Sequence, residues 1–269
     1  MGNFWTSFIS TFRLISRIPL GRGNQSDFRY SGFFMPLIGV IVAAINCLLY
    51  YGFSLFMTDP FLIAVLILII QYFLFNLFHF DGLLDSADAF FCFSDKEKRL
   101  AILKDVHIGS FAFFCGFFYL AVKLYLLFKG IGSGVSSTGL IVLLAYPVTG
   151  RIAAAFLPLF LKPASPRGLG ALFADYKKGA ALLGAITSLG CISLGMVIIR
   201  RNIFHSGIEL IFIAFSFIPA LIIVYSLYRK KLGGITGDGF GMAIELGELF
   251  HLIVFFIVLQ NSAGGTIFG

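Results

Sequence analysis

The run His79-Phe-Asp-Gly-Leu-Leu-Asp-Ser-Ala-Asp88 carries carboxylates at positions 81, 85 and 88. On a helix these spacings, i, i+4 and i+7, set Asp81, Asp85 and Asp88 on one face. Three acids stacked so closely repel one another unless they share a cation. Oxygen ligands with no flanking cysteine favour Mg²⁺ or Mn²⁺ over zinc. Mg²⁺ held by a few carboxylates plus substrate phosphates serves phosphoryl transfer among other reactions. The neighbours Phe78, Phe80, Leu83, Leu84, Phe90 and Phe91 are apolar, which argues against a merely solvated acidic helix end.

Three further features could act with this cluster. In Lys104-Asp-Val-His-Ile-Gly-Ser-Phe111, Asp105 either completes the metal shell or serves as a helix cap or salt-bridge partner. Lys104 and His107 are candidates to meet a phosphate. Gly233-Gly-Ile-Thr-Gly-Asp238-Gly is a glycine-rich loop with one acid, and backbone amides of such a loop can cradle phosphate oxygens. No Gly-Lys-Ser/Thr follows, so it is not a Walker A sequence. Arg151 falls inside an apolar segment, where an arginine must pair or reach a watery cavity. It either neutralises a cluster carboxylate, holds a phosphate, or forms a structural ion pair. His205 and His251 read as incidental.

The elements that must position these residues are membrane helices. The chain is 59% hydrophobic and 12% charged, with a mean hydropathy of +0.96, against about 25% charged residues in soluble domains. Apolar blocks of 18 or so residues read as transmembrane helices. Seven are expected, near 33–57, 61–80, 110–128, 138–161, 179–199, 208–228 and 244–260, the last short and opened by Glu245 and Glu248. No long polar stretch remains for another domain, so residues 1–269 read as one integral membrane domain: an all-α polytopic bundle. Ahead of it, Phe4, Trp5, Phe8, Ile9, Phe12, Ile15 and Ile18 follow helical spacing, as in an amphipathic helix lying in the membrane interface or one packed on the bundle. No small-residue cleavage site follows this stretch, and Arg13 and Arg17 interrupt it, which argues against a cleaved signal peptide. Cys47, Cys92, Cys115 and Cys191 are scattered without a CxxC pair, so neither a disulfide framework nor a zinc site is expected.

Charge sets the orientation. With the N-terminus inside, fifteen Lys and Arg residues fall on the cytosolic side and three (Lys129, Arg200, Arg201) on the other, with Lys123 and Arg151 within spans. Nearly all the acids lie on that same side, so an active site facing the cytosol follows. The net charge of +7 needs no nucleic acid; anionic membrane lipid and phosphorylated substrates are its natural partners.

These motifs resemble the cobalamin synthase family, the adenosylcobinamide-GDP ribazoletransferases, over nearly the whole chain. Ser16-Arg-Ile-Pro19 is similar to the family's Thr-Arg-Leu-Pro, and Phe34-Met-Pro-Leu-Ile-Gly39 to its first-span entry. The segment 79–88 resembles His-Leu-Asp-Gly-Leu-Ala-Asp-Thr-Ala-Asp, and 104–111 resembles Lys-Asp-Ser-Arg-Ile-Gly-Thr-Phe. Gly150-Arg151, Arg167-Gly-Leu-Gly170 and Gly233-Gly-Ile-Thr-Gly-Asp238 follow in order. Ala89 stands where the family usually has Gly, and His107 where it usually has Arg.

The resemblance implies a Mg²⁺-dependent enzyme of a prokaryotic plasma membrane. It would join α-ribazole or its 5′-phosphate to adenosylcobinamide-GDP and release GMP, as the last assembly step of adenosylcobalamin. On this reading Asp81, Asp85, Asp88 and Asp105 hold the metal, with Asp81, Asp85 and Asp105 catalytic. Lys104, His107, Arg151 and Asp238 meet the substrate phosphates. A homo-oligomer is compatible with the sequence. The aspartate spacing is also similar to that of CDP-alcohol phosphotransferases, whose lipid-linked chemistry is the alternative, although their Ala-Arg after Asp-Gly is missing here. A secondary transporter would set its acids at the membrane midplane between repeated halves, and no convincing repeat exists.

Overall fold

The computed structural model describes residues 4–21, 26–132, 135–201 and 210–263. Helices α1 (Phe4–Ile15), α2 (Ser31–Ser54) and α3 (Pro60–Gln71) are followed by a π turn, Tyr72–Asn76, that runs directly into α4 (Leu77–Phe91). Then come α5 (Lys96–Ile102), α6 (Ser110–Ile131), α7 (Ser137–Phe160), a 3₁₀ turn at Leu169–Phe173 and α8 (Lys178–Arg200). The chain closes with the described part of α9 (210–215), α10 (Ile218–Lys231) and α11 (Gly237–Ala263). Seven helical stretches are long and apolar enough to cross a membrane, the number expected.

Two boundaries differ from those expected. The second span does not stop near residue 80 but continues to Phe91, so Asp81, Asp85 and Asp88 lie within its last turns. The last span starts at Gly237 rather than near 244, which moves Glu245 and Glu248 from its opening to its interior. The glycines of 233–239 look like loop in sequence, yet Gly237 and Gly239 are helical, as membrane helices permit.

Helix α7 is the centre of the bundle, packed by α2, α11 and α8. Ala145, Ala153, Ala154 and Ala155 are fully buried on it, and small residues let helix backbones approach closely. At Gly150 a Cβ would come within 2.3 Å of the Ile244 carbonyl oxygen, and at Gly247 within 2.7 Å of the Gly150 Cα. The two glycines therefore hold α7 and α11 in backbone contact.

Helix α1 lies on the start of α2. Thr11 donates to Ser31 Oγ at 2.9 Å, and Ser7 and Ser10 accept from the Tyr30 and Asp27 amides at 3.0 Å. This short polar edge is buried together with Phe12 and Ile15, while Phe4 and Trp5 remain exposed. The four cysteines are free thiols.

Candidate active site

The π turn decides what the second span presents. Gln71 and Asn76 are five residues apart, which in an α-helix would put them about 140° apart. The wider π turn brings both to one partner: their side-chain amides donate to Glu248 Oε2 at 3.2 and 3.0 Å. Around them a polar core forms between the helices. Lys123 Nζ meets Glu248 at 2.7 Å and Glu245 at 2.9 Å, and Arg151 meets Glu248 at 2.7 Å, all with fully buried side chains. Tyr72 and Asn76 donate to Glu245 at 2.6 and 2.8 Å.

Arg151 also donates to Asn76 Oδ1 at 3.0 Å and to the Pro147 carbonyl at 2.8 Å. Of the alternatives open in the sequence, the structure realises the ion pair with Glu248, and Arg151 is fully buried. Two cations and two carboxylates balance, so the charged core is neutral, as a charge group inside a bilayer requires. His251, read as incidental, bonds Ser216 Oγ at 3.0 Å; His205 lies outside the described residues.

Beyond this core, at the end where α4 finishes and α6 and α11 begin, lie Asp81, Asp85, Asp88 and Asp238. Helices α4 and α11 touch through two glycines. A Cβ on Gly82 would meet the Asp238 backbone at 2.8–2.9 Å, and one on Gly241 the His79 backbone at 2.7–2.9 Å. That contact carries Asp238, in the first turn of α11, to the acid face of α4. Asp85 faces three like charges: Asp81, Asp238 and Asp88.

Asp88 has turned its carboxylate to another task. It accepts from the Gly109 amide at 2.7 Å and the Ala112 amide at 2.9 Å, capping the N-terminus of α6, whose orphan amides favour an anion. Gly109 is needed there, because a Cβ would come within 2.5 Å of Asp88 Oδ1.

Asp105 and His107 form an exposed pair at 2.7 Å. The hydrogen bond from His107 holds the Asp105 carboxyl below its ordinary range. Among the described residues, no three carboxylate, histidine or cysteine side chains converge tightly enough to hold an ion as they stand.

Two cavities open beside the acids. The first, about 340 Å³, runs between α1, α4 and α11, with Asp81, His79, Arg13 and Asp238 among apolar walls. The second, about 450 Å³, is lined by Lys104, Ser165, Arg167, Gly168, Gly170, Thr236 and Asp238. Leu169, Gly237 and Asp238 line both, so Asp238 stands where they meet. The glycine-rich loop is tied down there. Ala164 N donates to Ile235 O and Ile235 N to Lys162 O, both at 2.9 Å, and Thr236 Oγ1 donates to Asp238 at 2.9 Å. Gly233 takes a positive φ of 74°, and Gly234 is pressed against the Lys162 carbonyl, 2.5 Å from where a Cβ would sit.

The structure thus sets Asp81, Asp238 and Lys104 on the walls of two cavities, with Asp85 within electrostatic reach of Asp81 and Asp238. It sets Arg151 in the charged core, Asp88 on α6, and Asp105 with His107 on the surface. His79 and Arg167 line the cavities although neither stood among the candidate residues. Both lie inside motifs whose aspartates and glycines carry the stronger signal in sequence.

No solved structure matches the chain. It is 30% identical over 260 residues to the adenosylcobinamide-GDP ribazoletransferase of Clostridium botulinum (strain Loch Maree / Type A3), covering 94% of this chain and 98% of that protein. The Thermosipho melanesiensis protein of the same name is 32% identical over 256 residues, covering 93% and 98%. With the family model for cobalamin-5-phosphate synthase matching residues 7–256, nearly the whole length, the chain belongs to that family.

Proposed function

We propose that this protein transfers α-ribazole, or its 5′-phosphate, onto adenosylcobinamide-GDP with release of GMP. The observation that carries the reading is the pair of cavities meeting at Asp238 beside Asp81 and Asp85. A two-substrate transfer needs two seats that share one reacting point. A ribose hydroxyl attacks the phosphorus on the cobinamide side, the bond to the bridging oxygen breaks, and GMP leaves with that oxygen. The hydroxyl proton passes to a carboxylate of the cluster. Lys104 and Arg167 face the diphosphate and offset its charge. The family match favours this reading over a CDP-alcohol phosphotransferase.

The donor set fits Mg²⁺: its side chains are carboxylates, and Asp85 faces only like charges among its named neighbours. Such an ion is commonly held by one or two carboxylates plus substrate phosphates, a role for Asp81 and Asp85, with Asp238 beside them. When bound, Mg²⁺ supplies charge neutralisation on the diphosphate. The basic residues at this end of the bundle support a site facing the cytosol of a prokaryotic plasma membrane.

The test is GMP release by purified protein in liposomes supplied with adenosylcobinamide-GDP, α-ribazole and Mg²⁺. GMP should appear in step with the joined product and stop when EDTA is added. No GMP from folded protein would sink the assignment, and turnover that survives EDTA would remove the metal.

A further inference from the structure

The cavity between α1, α4 and α11 holds a histidine with a free nitrogen. His79 is 5% exposed and lines the cavity. Its Nε2 is buried with no hydrogen-bond partner. A buried polar atom left unpaired is costly, so a ligand hydroxyl, which can donate as well as accept, is its natural complement.

The walls say which ligand. Leu14, Ile15, Met35, Phe78, Phe173 and Phe240 surround the polar groups, and Phe173 stacks on Phe240 with centroids 4.4 Å apart. Guanine would find partners in Asp81, Asp238 and Arg13, but the apolar wall residues favour a base without polar edges. A dimethylated benzimidazole is flat and almost wholly apolar, and its ribose carries the hydroxyl donors. The second cavity, with Lys104, Arg167 and Ser165, suits a diphosphate instead. At about 340 Å³, the first lies within the range of small-molecule sites, about 300–1,000 Å³.

We propose that this cavity is the seat of the ribazole substrate, with the base among the phenylalanines and a ribose hydroxyl hydrogen-bonded to His79 Nε2. The inference rests on the transferase reading and adds to it a seat and a specificity residue. From this seat the ribose faces Asp81 and Asp238, the latter on the wall shared with the diphosphate cavity.

Two measurements test it on full-length protein in liposomes or nanodiscs. In steady-state assays His79→Phe, which keeps a ring but loses Nε2, should raise KM for α-ribazole roughly 10-fold, the scale of one lost hydrogen bond. KM for adenosylcobinamide-GDP should stay within about 2-fold, and His79→Gln, with hydrogen-bonding atoms at the ε position, should recover most of the loss. Leu14→Trp, which fills the cavity from α1 and leaves the residues of α4 unchanged, should weaken α-ribazole alone. Equilibrium dialysis of α-ribazole against wild type and both variants reads the same site without turnover. An equal rise in both KM values, or α-ribazole affinity unmoved in both His79→Phe and Leu14→Trp, would overturn the proposal. Wild type that releases no GMP yet binds α-ribazole in a His79-dependent way would remove the transferase reading and keep the seat.

Discussion

Gly82 on α4 and Asp238 on α11 lie in backbone contact: a Cβ on Gly82 would sit 2.9 Å from the Asp238 Cα and 2.8 Å from its carbonyl oxygen. Neither of those atoms can swing aside, so Gly82→Ala must part the two helices by a fraction of an ångström. The displacement falls on Asp238, the residue common to both cavities. Misplacement of about 1 Å can cost about 100-fold in rate. Gly82→Ala is therefore expected to lose between about 10- and 100-fold in kcat, with both substrates still bound. Steady-state kinetics in liposomes check this, and a variant with wild-type kcat would show that the helix contact does not set the site.

Asp81, Asp85 and Asp88 share a helix face but not a task, and conservative substitutions should separate them. Asp81→Asn and Asp85→Asn remove charge from a cluster in which Asp81, Asp88 and Asp238 act on Asp85 as like charges. Both should abolish turnover while leaving the melting temperature unchanged or slightly higher. Asp88→Asn removes the charge that caps α6, and an isosteric amide keeps only one acceptor for the two amides. Loss of a cap costs about 1 kcal/mol. The expected signature is a lower melting temperature with residual turnover. Thermal unfolding in detergent beside the activity assay distinguishes the cases, and Asp88→Asn that melts like wild type while losing all activity would contradict the capping role.

Part of this arrangement is legible in the sequence because it is local. Hydropathy along the chain gives the seven spans, and the i, i+4, i+7 spacing by itself puts Asp81, Asp85 and Asp88 on one face. The role of Asp88 is not legible, since its partners are amides more than 20 residues away at a helix start that the spacing does not encode. Nor is the charged core. In sequence Lys123 and Arg151 read as charges within spans and Glu245 and Glu248 as the opening of the last one, and only the fold shows that they balance one another. The displaced start of α11 has a simple cause. Glycine signals loop in soluble sequences, whereas here Gly241 sits in helix so that α11 can touch His79.

The charged core predicts a specific pattern of coupled stability. Lys123 is held between Glu245 and Glu248 with no access to solvent. Lys123→Met leaves a buried excess of negative charge, and breaking such a pair is expected to cost about 3–5 kcal/mol. Adding Glu245→Gln restores neutrality, because Arg151 still balances Glu248. The double variant should therefore be more stable than Lys123→Met alone. Unfolding by SDS titration of the two singles and the double closes the cycle. Additive losses would mean that the two groups do not interact.

The second cavity makes its own prediction. Lys104 and Arg167 come from different connections, before α6 and after α7, and reach one cavity lined also by Thr236 and the loop glycines. Both side chains are solvent-exposed, so neither helps to hold the fold, and alanine there should leave the melting temperature unchanged. Each should instead weaken the substrate that carries the diphosphate. Lys104→Ala and Arg167→Ala are expected to raise KM for adenosylcobinamide-GDP by about 5- to 50-fold, the worth of a charge-assisted contact. KM for α-ribazole should stay near its wild-type value. Because exposed charges are screened by salt, raising ionic strength should weaken adenosylcobinamide-GDP binding in wild type more than in the double variant. Kinetics at two salt concentrations read both effects at once. A rise confined to α-ribazole would exchange the assignments of the two cavities.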